Sequence, residues 1–193
     1  MAVRSAVTAD VPLIAALIND YAEQGLMLHR SHADLYDNIR DYVVAVERDE
    51  EADSAGRVLG VCGLRVLWAN LAEIYALAVA GHATRRGVGK QLIAAIVGEA
   101  ERLGIRRLFA LTYEQRFFES NGFEVVNRHT HLPLKVWTEC IRCPKNQNCD
   151  EIAVMRVLEG VPDLAPAPNP PAPSVYELPV LSEPIKEIEK EAT

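Results

Sequence analysis

Residues 73–79 read EIYALAV and residues 85–89 read RRGVG, and together they open a run of apolar residues at helical spacing that reaches Leu103. An apolar strand, a glycine-bearing turn and the mouth of an amphipathic helix follow one another here. That order makes an anion-binding site, because the first amides of a helix have no internal acceptor and the helix dipole adds positive potential where they point. A phosphate-bearing ligand is expected at this turn.

Around that centre the chain divides readily. Leu71 to Val79 has strand length, and the helix opened at Gly87 continues through Leu92, Ile93, Ile96, Val97, Ala100 and Leu103 to a C-capping Gly104. Downstream, Arg107 to Thr112 reads as a strand, FFESNG (117–122) as a short helix closed by Gly122, and Phe123 to Val126 and Glu151 to Leu158 as strands, with 127–150 irregular. Upstream, residues 2–7 form a first strand, and Asp10-Val11-Pro12 starts a helix whose stripe is Val11, Ile14, Leu17, Ile18 and Tyr21. Gly25 ends it. A Ser31-x-x-Asp34 capping box opens a second helix carrying Leu35 and Ile39, and the strands Tyr42–Glu47 and Arg57–Trp68 form a hairpin across the acidic turn RDEEADSAG. Antiparallel strands followed by strand, helix, strand, helix, strand predict a mixed α/β (α+β) domain.

The chain has 193 residues, 49% of them apolar, enough for one domain with a real core. From Gly160 onward the text is different: eight of the eleven prolines fall there, which predicts a Pro-rich acidic tail, disordered or extended, over 160–193 after a domain over 1–159. The tail's six acids and two bases account for −4 of the net charge of −7, leaving −3 on residues 1–159. A nearly neutral body without a basic face argues against nucleic acid as a partner. No segment has the length of a signal peptide's apolar core or a membrane span, so a cytoplasmic protein with no membrane partner is expected, its four cysteines reduced.

The order strand, RRGVGKQL, helix, LFALTY, RFFESNGF resembles the GNAT (Gcn5-related) N-acetyltransferase superfamily over roughly residues 2–158. The resemblance implies a central, largely antiparallel sheet splayed at the cofactor site with flanking helices, and acetyl-CoA as co-substrate. The superfamily's pyrophosphate signature, [Q/R]-x-x-G-x-[G/A], falls on Thr84 to Gly89, with Thr84 in place of the usual Gln or Arg. It implies that the amides of Arg85, Arg86, Gly87, Val88, Gly89 and Lys90 cradle the pyrophosphate. A longer ordered series is similar to one branch, the N-acetylglutamate synthases of arginine biosynthesis: YAEQGLMLHRS, LYDNIRDYVVA, LAEIYALAV, LTY-x3-FFE-x2-GF, LPLKVW and ECIRCP-x4-CDEIAV. Tyr75 and Ala76 stand where the branch carries Arg and Ser. With no kinase-like segment ahead of it, the chain would be a short, free-standing form, and the implied partner is a small amino acid, L-glutamate; an oligomer is compatible with the sequence.

That chemistry assigns candidates. A free amino acid is mostly ammonium at neutral pH, so a base must take a proton before nitrogen attacks. Glu73, ionisable within an apolar strand, is the candidate, a solvated edge carboxylate being the alternative. Splaying of EIYALAV from LFALT would leave main-chain groups at Leu77, Ala78 and Val79 to hold the pantetheine arm and polarise the thioester. The superfamily's acid is often a tyrosine at the place of Phe118, which has no proton to give, so Tyr113 is the candidate acid or else a strand-end cap of the core. Arg30 and, more weakly, Lys135 are candidate cations for a substrate carboxylate, with solvated side chains as the alternative. Cys140, Cys143 and Cys149 read first as ordinary reduced cysteines and second as a structural zinc site completed by His129, His131 or Asp150, so no metal ligand is assigned. Cys62 is a buried small hydrophobe. Two other functions fit the text: a transferase for another small amine or a protein N-terminus, and a non-enzymatic acyl-CoA-binding or zinc-bearing interaction module.

Overall fold

The apolar runs alternate sides as strands do, and the computed structural model, which describes residues 1–47, 57–132 and 149–164, assembles them into one sheet. Among the described residues its strands are β1 (Ala2–Ser5), β2 (Tyr42–Glu47), β3 (Arg57–Trp68), β4 (Leu71–Val79), β5 (Arg107–Thr112), β6 (Glu124–Val126) and β7 (Ile152–Val157). Their order across the sheet is β1-β2-β3-β4-β5-β7-β6. Every neighbouring pair is antiparallel except β4 and β5, which a helical crossover makes parallel. The helices are α1 (Val11–Glu23), α2 (His32–Asp37), α3 (Val88–Arg102), α4 (Gln115–Glu119) and α5 (Arg128–His131). The mixed, largely antiparallel sheet read from the sequence is therefore present.

Both faces are covered. On one, Tyr42, Val44 and Val46 of β2 pack with Val11, Ile14 and Ile18 of α1 and Leu35 of α2. On the other, Ala45, Leu64, Ala72 and Ile74 meet Val88, Leu92, Ile93, Ile96 and Ala100 of α3. Each fully buried leucine or isoleucine here is worth about 1.5–3 kcal/mol. Contact at the start of α3 is close: a Cβ on Gly60 would stand 2.9 Å from the Ala78 carbonyl oxygen and 3.0 Å from Val88 and Leu92 side-chain carbons. Gly60 thus lets the mouth of α3 lie directly on β3.

The capping box at Ser31 forms, its Oγ accepting from the Asp34 amide at 3.0 Å. The second helix is shorter than its apolar spacing suggests, because Asn38 leaves helical geometry and Ile39–Asp41 make a separate 3-10 turn. Within the segment expected to be irregular, Arg128–His131 form one helical turn, since the Asn127 side chain caps it by accepting from the His129 amide at 2.9 Å. The domain also continues past its expected end at residue 159. Val161 is buried in the core, and Arg107 donates to both carboxylate oxygens of Asp163 at 2.8 and 2.7 Å. Those hydrogen bonds hold the Asp163 carboxyl down at about 2. The turn at 48–56, Lys135, Cys140, Cys143 and residues 165–193 lie outside the described residues. Among the described residues no helix is long and apolar enough to cross a membrane.

One buried charge ties the N-terminus down. Asp10 is fully buried at the start of α1, where it accepts from Arg4 at 2.6 and 2.9 Å and from the Val7 amide at 2.8 Å. Burial alone would raise its pKa, but these donors outweigh burial and leave it lowered. A carboxyl lowered in this way stabilises the fold above its unfolded pKa, about 4, and that contribution is lost as pH falls through the folded value. Asp10→Asn should cost about 2 kcal/mol near pH 7 and reduce the acid dependence of stability below about pH 4, read from urea midpoints across pH.

Candidate active site

Strands β4 and β5 pair over only three positions, Leu71↔Arg107, Ala72↔Leu108 and Glu73↔Phe109, and beyond them the strands part. The cause lies on the other edge of β4. Its register with β3 steps from Val61↔Ala78 to Gly63↔Tyr75, so that Ala76 and Leu77 together oppose Cys62, and Ala76 takes the left-handed conformation with φ 52°. A bulge of this kind bends its strand. Here it turns residues 74–79 away from β5 and opens a V-shaped gap. The V is the splay that the family resemblance implies.

Peptide groups line that gap. Ala80 donates its amide to the Leu59 carbonyl at 2.8 Å, so alternation turns Ala78 toward β3 as well and Val79, like Leu77 before it, toward the gap. Of the three residues proposed to offer main-chain groups, Ala78 therefore spends its own on the sheet. The Val79 carbonyl accepts from the Tyr21 hydroxyl of α1 at 2.7 Å, which leaves the Val79 amide as the donor on that edge.

At the open end of the V stands the glycine turn. Gly81–Ala83 make a 3-10 turn, Arg85 and Gly87 have φ of 59° and 79°, and the first helical hydrogen bond runs from the Gln91 amide to the Gly87 carbonyl at 3.1 Å. Among the described residues, the amides of Arg85 to Lys90 have no backbone acceptor, which suits the anion site expected there. Thr84 does not supply the missing Gln or Arg: its hydroxyl donates to the Gly81 carbonyl at 2.9 Å and closes the turn. Arg86 turns outward, donating to Glu47 at 3.1 Å, and does not line the cleft, whereas Arg85, Gly87, Val88, Gly89 and Lys90 do. Only its amide remains for the anion. Gly89 has its own reason to lack a side chain, since a Cβ would meet the Phe117 ring at 3.0 Å.

The V and the turn open into one cleft of about 1530 Å³ that also takes in Glu73, Tyr113, Arg30 and Arg65. Glu73 is half-buried at the vertex, the last β4 residue paired with β5. Tyr113 follows the end of β5 on the facing wall. Phe118 is buried in the α3 core, edge-on to Phe117 and Phe123, as an aromatic without a proton to give should be. Arg30 sits on a loop fixed by Asn19, which donates to the Arg30 carbonyl at 3.0 Å and accepts its amide at 2.9 Å. Tyr75 forms the floor: its ring covers Gly63, where a Cβ would fall 2.6 Å from the ring, and its hydroxyl donates to Asp41 at 3.1 Å. The Arg65 and Arg30 guanidinium carbons lie 4.5 and 5.6 Å from that ring's centre. Burial pushes the Tyr75 hydroxyl far up and raises the Asp41 carboxyl, the latter against the pull of Tyr75 and Arg65.

Two of these residues escaped sequence reasoning. Tyr21 reads as one more apolar position of α1, although a tyrosine ending such a stripe carries a polar tip that must find a partner. Arg65 lies in a strand read only for its apolar content. Near the cleft, Cys149 directs its thiol to Glu151 at 3.7 Å, and among the described residues no group of three or more His, Cys, Asp or Glu could hold a metal.

A parallel strand pair opened over the unpaired amides of a helix mouth defines an acyltransferase that binds its acyl donor as a coenzyme A thioester. Residues 14–123 match the acetyltransferase (GNAT) family, and the chain belongs to it. It is 34% identical over 156 residues to the uncharacterized N-acetyltransferase CT2212 of Chlorobaculum tepidum, covering 81% of this chain and 96% of that one. With the amino-acid acetyltransferase of Mycobacterium tuberculosis it shares 34% identity over 140 residues, 72% of this chain and 77% of the relative. The N-acetylglutamate synthase of Neisseria gonorrhoeae, solved with coenzyme A and N-acetyl-glutamate, superposes with a TM-score of 0.71 at 30% identity, over 81% of this chain but 35% of that one. The chain is thus an acetyltransferase, with acetyl-CoA as co-substrate.

The conformation of the turn can be tested directly. Gly87 has room for a methyl group but a φ of 79°, so Gly87→Ala strains the mouth of α3 by about 1–2 kcal/mol without a steric clash. A lower melting temperature and a raised KM for acetyl-CoA are expected, with the amino-acceptor KM nearly unchanged.

Proposed function

We propose that this acetyltransferase acts on the α-amino group of a free amino acid, L-glutamate, and makes N-acetyl-L-glutamate, the first step of arginine biosynthesis, in the cytoplasm. The observation that carries this is the place of Glu73. It is the last rung of the β4–β5 ladder, so its carboxylate stands where the strand edge first offers unpaired peptide groups, within the cleft that also holds Arg30. An amino acid bound there has a base for its ammonium and a fixed guanidinium for a carboxylate. Names among the relatives point the same way, amino-acid acetyltransferase and N-acetylglutamate synthase, at 34% and 30% identity.

Acetyl-CoA supplies the acetyl group as a thioester. On this chain's side, Glu73 accepts the proton that the ammonium must lose, directly or through water, and leaves a nucleophilic amine. The Val79 amide, with Leu77 on the same edge, donates to the thioester oxygen as negative charge gathers there. Tyr113 on the opposite wall returns a proton to the departing thiolate. Arg85 to Lys90 hold the pyrophosphate through their amides and through the Arg85 and Lys90 side chains. Transfer within a ternary complex needs no thiol of the protein, and buried Cys62, whose thiol is raised to well above neutrality by burial, takes no part.

A second acceptor, some other small amine, is favoured by one observation: Tyr75 rather than a cation forms the cleft floor. A thiol-release assay across the amino acids and simple amines separates the two. Glutamate should give the highest kcat/KM; no turnover with glutamate, glutamine or aspartate rejects the substrate assignment. Glu73→Gln should lower kcat by roughly 100-fold or more while the KM for acetyl-CoA stays within about twofold, and an unchanged kcat removes Glu73 from the mechanism. Tyr113→Phe should slow turnover by roughly tenfold at saturating substrates while the KM for acetyl-CoA stays within about twofold, and an unchanged kcat removes Tyr113 from the mechanism.

A further inference from the structure

An α-amino acid brings two opposite charges on one carbon, an ammonium and a carboxylate. A site that reads this head group needs an anion and a cation side by side. Cross-strand partners on antiparallel strands provide such a pair, since directly opposite residues project from the same face about 5 Å apart. In β3 and β4 that pair is Arg65 and Glu73, in register with one another and both lining the cleft.

The guanidinium of Arg65 is held in place from below. It lies 4.5 Å from the centre of the Tyr75 ring, and that ring is locked by the Gly63 backbone beneath it and by its hydrogen bond to Asp41. Stacking of this kind fixes the plane of an arginine while its forked N–H edge keeps the geometry that matches a carboxylate. Arg30 approaches the same ring from the loop before α2, at 5.6 Å. Two guanidiniums of different origin thus share one aromatic platform.

Their neighbours decide which takes what. The amine has to reach Glu73, so the carboxylate on the same carbon lies beside the residue paired with Glu73. From this juxtaposition we infer that Arg65 is a specificity-determining residue that seats the α-carboxylate of the acceptor, Arg30 being left for the acceptor's side chain. This rests on Glu73 serving as the base for a free amino acid. It goes further in requiring a free α-carboxylate: amino-acid α-amides and peptide N-termini, which present an amine without that charge, are rejected by the cross-strand pair.

The full-length protein at saturating acetyl-CoA tests this with three acceptors, L-glutamate, L-glutamine and the α-amide of L-glutamate. The wild type should prefer glutamate to its α-amide by roughly 100-fold in kcat/KM. Arg65→Gln should raise the glutamate KM by about tenfold or more, change the acetyl-CoA KM by less than about twofold, and bring the preference over the α-amide to within about threefold. Arg65→Lys, which keeps the charge but not the planar fork, should fall between. Both variants are checked for folding by thermal melting. A wild type that accepts the α-amide as well as the free acid overturns the inference, as does an Arg65→Gln enzyme that keeps the wild-type preference. The glutamate-to-glutamine ratio answers the separate question of the acceptor's side chain. Should another amino acid prove the better substrate, comparing it with its own α-amide tests Arg65 in the same way.

Discussion

Three rungs of parallel hydrogen bonding hold the two halves of the sheet together, and the site exists because the ladder stops at Glu73 and Phe109. A sheet normally satisfies every backbone group along its interior. Here β4 keeps its partner on one side and gives it up on the other, and the bulge at Ala76 and Leu77 makes this compatible with continued pairing to β3. The cost is an alanine held at φ 52°, of order 1 kcal/mol, together with unpaired edge groups that a ligand must satisfy. Tyr21 occupies one of them, the Val79 carbonyl, and thereby ties α1 to the splayed half of β4.

Charges in the cleft are arranged by the same geometry. The anion site proposed at the mouth of α3 rests mainly on backbone amides: Arg86 is spent on Glu47 and Thr84 closes its own turn, which leaves Arg85 and Lys90 as the cationic side chains of this turn that line the cleft. A phosphate bound by amides needs no long cation, which makes the departure at Thr84 tolerable. At the vertex the balance is reversed. Arg30, Arg65 and Asp41 gather around the Tyr75 ring, which lies 5.2 Å from that of Tyr42, and Glu73 lines the same cleft. Local charge, not the −7 of the whole chain, governs what binds.

Periodicity made most of the architecture legible. β-Branched and apolar content on either side of an acidic turn marked β2 and β3, the stripe from Leu92 to Ala100 marked α3, and Ser31 with Asp34 announced a cap that the structure forms. What stayed hidden has physical causes. Nothing distinguishes Ala76 as a left-handed residue, since the sequence carries no glycine there, and the bulge arises from competition between two ladders. Arg65 sits among Leu64, Val66 and Leu67, where strand reading counts apolar residues and overlooks which face an intervening cation takes. Arg86 was indistinguishable from Arg85 until β2 brought Glu47 beside it. At the C-terminal boundary, proline content drew attention to the tail and away from Val161 and Asp163, which bind to the body through one buried side chain and one carboxylate.

Substrate reading and cofactor reading are coupled through β4 itself. Residues 71–73 belong to the intact sheet, Tyr75 to the floor of the cleft, Val79 to the edge proposed for the thioester, and five residues later Thr84 closes the turn before the amides proposed for the pyrophosphate. A shift of β4 by one residue would place Glu73 and Tyr75 on the α3 face and Ala72 and Ile74 in the cleft, since successive side chains alternate. Gly63 and Gly60 oppose such a slip from opposite faces of β3. One accepts the Tyr75 ring and the other accepts Val88 and Leu92, and neither position tolerates a Cβ without moving what packs on it. The register of β4 is therefore fixed by packing on both faces of its neighbour, and with it the separation between the Glu73 carboxylate at the vertex and the amides at the open end.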